Sequence, residues 1–325
     1  MNYIKMAPLS GLSGLGGGSV GLPIYAGAAG PPYQGAGDWY GTTSIWVGGS
    51  VDNVGYKDVI DYVNLSNTGN CSDFGDLTTD HVTTSGAGGT TNKVVSTLGN
   101  SDIAYIQNVG STGNAVDFGS SLLTTRSNTC TSSNGTRGLV CGGSISGTAS
   151  DSIEYYHFDT NGETWSFGSL SQARWQGGCC GSDTRSIYCA GTNGSAQNTI
   201  DYTDYSTTGT STDFGDYAHS SYGTSGCSDG TYAAFAAGWT GSYNNQIEYI
   251  TIASTGNSTD FGTFVHNHKY YAGSTSNGDR GVWGGGRGQN DSNEIEYRDL
   301  SSPGNCSDFG DLTMARHGPG ASSGN

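Results

Sequence analysis

From residue 41 onward the apolar residues arrive in short bursts separated by glycine and small polar residues. Ile45-Trp46-Val47 runs into Gly48-Gly49, Ile60-x-Tyr62 follows, and Asp73-Phe74-Gly75 closes the group. Short alternating bursts bounded by turn residues are the pattern of strands, and no stretch carries a helical apolar period. The group then repeats. Asp-Phe-Gly returns at 117–119, 213–215, 260–262 and 308–310, Ser166-Phe167-Gly168 is a variant copy, and the six phenylalanines are separated by 44, 49, 47, 47 and 48 residues. Such a period belongs to solenoids, propellers and arrays. Four short strands fit each period, so the chain is expected to be all-β.

Other columns keep the same register. Gly48-Gly49, Gly142-Gly143 and Gly284-Gly285 correspond to the relaxed forms Leu98-Gly99, Ala190-Gly191 and Ala237-Gly238, and Ile60/Tyr62, Ile103/Tyr105, Ile153/Tyr155, Ile200/Tyr202, Ile247/Tyr249 and Ile295/Tyr297 form an unbroken Ile-x-Tyr column. The recurrent Phe is expected to wedge between units, contributing about 1.5–3 kcal/mol at each buried copy. The Asp before it is expected in a turn, bonding nearby backbone amides.

An apolar strand ending in Gly-Gly, a Tyr strand, an aromatic strand and a following Arg resemble the kelch repeat of β-propellers. The third copy carries the landmarks in order: Leu139-Val140-Cys141-Gly142-Gly143, Ile153-Glu154-Tyr155, Thr164-Trp165, Leu170 and Ala173-Arg174. Elsewhere Phe replaces the family's Trp, and the Arg position holds His81, Ser221 or His268. The wording Ser254-Thr255-Gly256-Asn257-Ser258-Thr259-Asp260-Phe261-Gly262 also resembles repeats of virion structural proteins from marine tailed phages. The resemblances imply a six-bladed kelch-like propeller over 41–325 and an exterior virion component, a tail fibre or similar appendage.

In a kelch-like blade the strand after the Arg is innermost, so the blade boundary falls inside each sequence repeat. Arg316 is followed by too few residues for a second strand, while Thr43–Val47 is a second strand without a first; the C-terminal segment is therefore expected to supply its neighbour and close the ring. The loops between Gly-Gly and Ile hold 10, 3, 9, 8, 8 and 9 residues and share little sequence. Variable loops on a rigid scaffold are where recognition is usually placed, so Tyr56, Lys57, Trp239, Tyr243 and Asn244 are the candidate ligand-binding residues. The Gly-rich arm 1–40, outside the repeat, is expected to leave from the opposite face and dock on other virion proteins; a homo-oligomer is compatible with it.

The column His81, Arg126, Arg174, His268 and Arg316, with Ser221, should ring the central channel. Two readings stand: these groups pair with Asp61, Glu154, Asp201, Glu248 and Glu296, or they form a cationic well for an acidic sugar. With 12 basic and 28 acidic side chains the net charge is −16, which disfavours nucleic acid and anionic membranes as partners. No apolar run is long enough to span a bilayer, and no nucleophile elbow, zincin motif or spaced Asp-x-Asp-x-Asp loop occurs, so no catalysis, metal or cofactor is expected. The eight cysteines are expected to be mostly free thiols, with Cys130 opposite Cys141 across a hairpin and Cys179 or Cys180 near Cys189. The expected role is attachment to a host-surface glycan or protein, from a virion; bracing of neighbouring subunits and glycan cleavage are the alternatives.

Overall fold

The apolar bursts become strands. The computed structural model describes residues 40–324 apart from 82–86, 91, 98–102, 107, 120–121, 161, 237 and 267–268; the arm up to residue 39 and His268 therefore lie outside the described residues. Five antiparallel sheets have four strands each, in sequence order: those beginning at Ala87–Gly89, Cys130–Ser133, Gly178–Gly181, Gly226–Ser228 and Gly273–Ser276. A further sheet has five strands. In it Gly320–Gly324 pairs with Thr43–Val47, which pairs with Gly55–Asn64, which takes Ser72–His81 on its far edge and the short Ser50–Val51 at its start. The expectation of equal four-stranded units thus fails at one sheet, because the chain between Gly49 and Gly55 folds back as an extra hairpin strand.

The arrangement is a β-propeller of such blades. Among the innermost strands, Cys130–Ser133 lies beside Ala87–Gly89 and Gly178–Gly181, Gly226–Ser228 beside Gly178–Gly181 and Gly273–Ser276, and Gly320–Gly324 beside Gly273–Ser276 and Ala87–Gly89.

Asp-Phe-Gly is a β-bulge on the outermost strand. Ile60 pairs with Gly75 and the next residue, Asp61, with Asp73, so Phe74 is left without a partner. The same skip releases Phe167, Phe214, Phe261 and Phe309. A bulge re-aims a side chain. Here it turns each Phe inward: all six recurrent phenylalanines are 2–3 % exposed, and five meet the Tyr of the Ile-x-Tyr column edge-on at 5.4–6.1 Å. The preceding Asp is on the strand rather than in a turn, and at Asp73, Asp213, Asp260 and Asp308 it is exposed. At Asp117 the expected bond to a nearby amide is made, from Gly119 N–H at 2.9 Å, while turn chemistry at other copies falls to the Gly-Asn pair upstream.

That pair stitches one blade to the next. Gly113 N–H donates to Phe74 O at 2.8 Å, and Asn114 Oδ1 accepts from Asp76 N–H at 3.1 Å. Gly256 and Gly304 donate in the same way to Phe214 and Phe261 of the preceding blade, Gly209 donates to Phe167, and Gly69 donates to Phe309 at 2.8 Å, joining the first-numbered sheet to the last. Each of the buried hydrophobic clusters draws on two neighbouring sheets; Ile200 and Phe214 pack with Phe235 and Ile250, and Trp46 and Leu65 with Val282 and Phe309. The core is therefore between blades.

Inner strands made of Gly, Ala, Ser, Thr and Cys enclose a central cavity of about 140 Å³ lined by Thr131, Ser132, Cys180, Ser228, Ser274 and Ser322 among others. Two of its strands are joined by a disulfide, Cys130–Cys179. The other six cysteines are free thiols, as expected, and Cys130 faces Cys141 in the hairpin register; the one bond runs sideways to the next blade, where small residues let two inner strands approach. Tyr40 packs at one end of the cavity, within 3.2 Å of where Cβ atoms on Gly230 and Gly278 would lie.

Candidate functional site

The column of basic residues was built for support. Arg126, Arg174 and Arg316 are at most 2 % exposed and do not line the cavity. Arg174 Nη2 lies 2.7 Å from Asp201, Arg316 Nη1 lies 2.9 Å from Asp61, and Arg126 pairs with Glu154. Each carboxylate also accepts from the segment after the neighbouring outer strand: Asp201 from Ser171 Oγ at 2.7 Å, Asp61 from Thr313 Oγ1 at 2.6 Å, and Glu154 from Leu123 N–H at 2.7 Å. Buried charges persist only when paired and hydrogen-bonded, which these are. The cationic-well reading is thereby corrected at the three arginines, because their guanidinium groups point into the sheets.

The column also slips by one residue. Backbone bridges join Ser127 to Ser144, Trp175 to Thr192, Tyr222 to Trp239, Tyr270 to Arg287 and His317 to Ser50. The residue before each is the true column member, so Lys269 stands where the sequence ruler put His268. Lys269 is 1 % exposed, donates to Glu294 O at 2.8 Å and lies 3.8 Å from Glu296. Burial lowers its pKa, while Glu296 and Glu294 oppose the shift. At the His81 position only the backbone is described, paired with Lys57 at the end of its strand.

The same bridges carry the variable loops to the end of the inner strands remote from Tyr40 and gather aromatic rings there. Trp239 and Tyr243 meet at 4.9 Å and 80°; Tyr270 lies 6.2 and 6.3 Å from them, 5.9 Å from Tyr222 and 4.1 Å from Tyr271. All five rings are half-buried. Burial raises the phenol pKa values of Tyr270 and Tyr271, so both hydroxyls stay protonated and able to donate. Asn244 belongs to the same loop and braces it, its amide nitrogen 3.3 Å from Gln246 Oε1 and its Oδ1 accepting from Gln246 N–H at 2.9 Å.

The cluster continues into a polar group. Tyr271 lies 6.3 Å from His317, whose Nδ1 is 2.7 Å from Asp291; Asp52 N–H donates to Asp291 at 2.6 Å, and Arg287 pairs with Asp52 at 2.9 Å. Asp52, Asp291 and His317 present ligand atoms within 4.8 Å of one another, as do His266, Glu294 and Glu296. In the first set Asp52 N–H and the Arg287 cation already engage the carboxylates.

Of the sequence candidates, Trp239 and Tyr243 are at the centre of this surface and Asn244 at its edge. Tyr56, 48 % exposed, and Lys57 are on the Gly49–Gly55 hairpin, whose link to the cluster is Asp52. Tyr222, Tyr270, Tyr271, Arg287, Asp291 and His317 were missed. The signal was present: residues following the basic column read Ser127, Trp175, Tyr222, Tyr270 and His317, but only the folded register pairs them with the loops.

No family model matches this chain, and no curated protein matches it. Among solved structures, one titled "Structure of YjhT" is similar with a TM-score of 0.58 and 10 % identity, over 72 % of this chain and 86 % of that one. The likeness is one of β-propeller fold alone.

Proposed function

We propose that the protein is a non-catalytic recognition propeller, carried on a virion as an appendage, that attaches to a host-surface glycan or protein through its variable-loop face. The observation that carries this reading is the surface of half-buried rings in which Trp239 and Tyr243 of a variable loop meet Tyr222, Tyr270 and Tyr271 of the segments following the basic column. Aromatic side chains held by their neighbours offer contact area at low entropic cost. Tyr40 at the other end of the cavity supports an arm that leaves from the back and docks on other virion proteins. The resemblance of the Thr-Gly-Asn…Asp-Phe-Gly wording to phage repeats supports the virion setting.

Ring closure belongs to the same reading. We take the five-stranded sheet as the sixth blade and Gly320–Gly324 as its inner strand; the pairing of Val47 with Gly320 and the bond from Gly69 to Phe309 O support a ring without an open edge. The test is binding of the purified full chain to candidate host cells, with Trp239→Ala and Tyr270→Ala beside the parent. Parent binding lost in both variants supports attachment; a folded parent that binds no candidate cell sinks it and favours a bracing role.

A further inference from the structure

We infer that the aromatic surface around Trp239 takes an uncharged glycan, packing a pyranose ring against Trp239 and hydrogen-bonding its hydroxyls to the Asp52–Arg287 pair. The inference rests on the recognition reading and narrows its ligand. Three observations lead to it.

The first is the packing of the rings. With centroids 4.9–6.3 Å apart, Trp239, Tyr243 and Tyr270 touch one another and leave no gap that could enclose a cationic headgroup. Their planes stand 54–80° apart and Tyr270 is stacked by Tyr271, so a ligand would rest against Trp239 with the other rings holding it in place. A flat ligand with an apolar side fits such a ring face, and the axial C–H groups of a pyranose provide that side.

The second is charge. Arg287 is the cation beside the rings, close enough to influence the Tyr270 hydroxyl, and it is engaged by Asp52 at 2.9 Å. Asp52 and Asp291 lie within hydrogen-bonding reach of one another through the Asp52 amide, and the chain carries a net charge of −16. The three column arginines that could have met an acid are sealed in the sheets. An acidic sugar would meet carboxylates before it met a free cation. An uncharged sugar meets an acceptor in Asp52 and donors in Arg287 and the tyrosine hydroxyls.

The third is the juxtaposition of stack and polar groups. Tyr270 is bridged through its backbone to Arg287 and lies against Tyr271, which in turn neighbours His317. An apolar platform beside a few converging polar groups is the usual composition of a small-molecule site.

The experiment titrates the full chain, by saturation-transfer NMR and calorimetry, with maltohexaose, laminarihexaose, mannohexaose and xylohexaose, and with tetragalacturonate and sialyllactose as charged counterparts. At least one neutral oligomer is expected to bind, with affinity falling tenfold or more in Trp239→Ala and Tyr270→Ala and largely retained in the conservative Trp239→Tyr. Binding confined to the charged sugars overturns the inference, as does neutral binding indifferent to both alanine variants. Circular dichroism confirms that each variant is folded. Cell binding separates the two levels: attachment that needs Trp239 but survives periodate treatment of the cells overturns the glycan and keeps recognition, whereas loss of all attachment by the folded parent removes both.

Discussion

The backbone carbonyl of Gly304 occupies the place that a Cβ on Gly262 would take. Gly262 is the last residue of Asp260-Phe261-Gly262, and Gly304 is the turn glycine of the following blade, which also donates to Phe261 O. The same approach recurs between Gly75 and Gly113, Gly168 and Gly209, Gly215 and Gly256, and Gly310 and Gly69. The repeated glycine is therefore a place where two blades touch through their backbones.

Gly262→Ala should destabilise the protein by about 3 kcal/mol, because φ there is +146° and the intruding atom is backbone that cannot swing aside. Gly113→Ala, where a Cβ would meet nothing within 4 Å, should change stability by less than about 0.5 kcal/mol. Urea midpoints of the two variants check the contrast; equal losses would remove the contact from its role.

Arg174→Met should cost about 3–5 kcal/mol, since Asp201 would stay buried with Ser171 as a partner but without its cation. Adding Asp201→Asn should restore part of that loss, as the amide keeps an oxygen for Ser171 and removes the charge. A double-mutant cycle reads the coupling. Additive losses would mean that the pair contributes nothing beyond its two members.

Reduction should weaken the ring locally. The Cys130–Cys179 bridge joins residues 49 apart on two adjacent inner strands, and opening it should cost about 2–4 kcal/mol. Denaturation with and without reductant measures this, and non-reducing peptide mapping checks the pairing. A Cys130–Cys141 peptide would contradict it.

Stability should fall steeply above pH 9. Burial raises the thiols of Cys71, Cys141, Cys180, Cys189, Cys227 and Cys306 above their ordinary value of 9.0, Cys141 to about 12. The unfolded chain thus releases protons that the folded one retains, so their stabilisation is complete below 9.0 and is lost as pH rises toward the folded values, by at most about 1.4 kcal/mol per pH unit for each thiol. Lys269 and Arg316 act in the opposite sense, their folded pKa values being lowered, but they stand against six thiols and buried tyrosines such as Tyr188, Tyr205 and Tyr217, whose values burial raises. Thermal midpoints from pH 7 to 10.5 should decline; a flat or rising profile would refute the argument.

Much of the blade was legible because its residues act locally. Ile-x-Tyr and Gly-Gly mark strands whatever surrounds them, and Ile60, Ile153 and Ile295 are buried as the alternation requires. The functional face was half legible. Trp239, Tyr243 and Asn244 stand out in a variable loop, whereas Tyr270, Tyr271, Arg287 and His317 come from other blades and are brought beside it only by the fold, Tyr270 through ring contacts with Trp239 and Tyr243. His268 was put in the basic column by counting, and a one-residue slip in the preceding loop moved Lys269 there instead.

By itself, the sequence determined an all-β repeat with its strands, its wedge phenylalanines and its acidic surface, because periodicity and composition act at every copy alike. Tertiary structure alone decided three things: that Asp-Phe-Gly is a bulge, that Arg126, Arg174 and Arg316 face carboxylates inside the sheets, and that Cys130 bonds Cys179 instead of its hairpin partner. The bulge and the ion pairs depend on the exact register of strands within one sheet, and the disulfide on which inner strand lies beside which in the next blade, where residues 49 positions apart leave no trace of that adjacency in the local pattern.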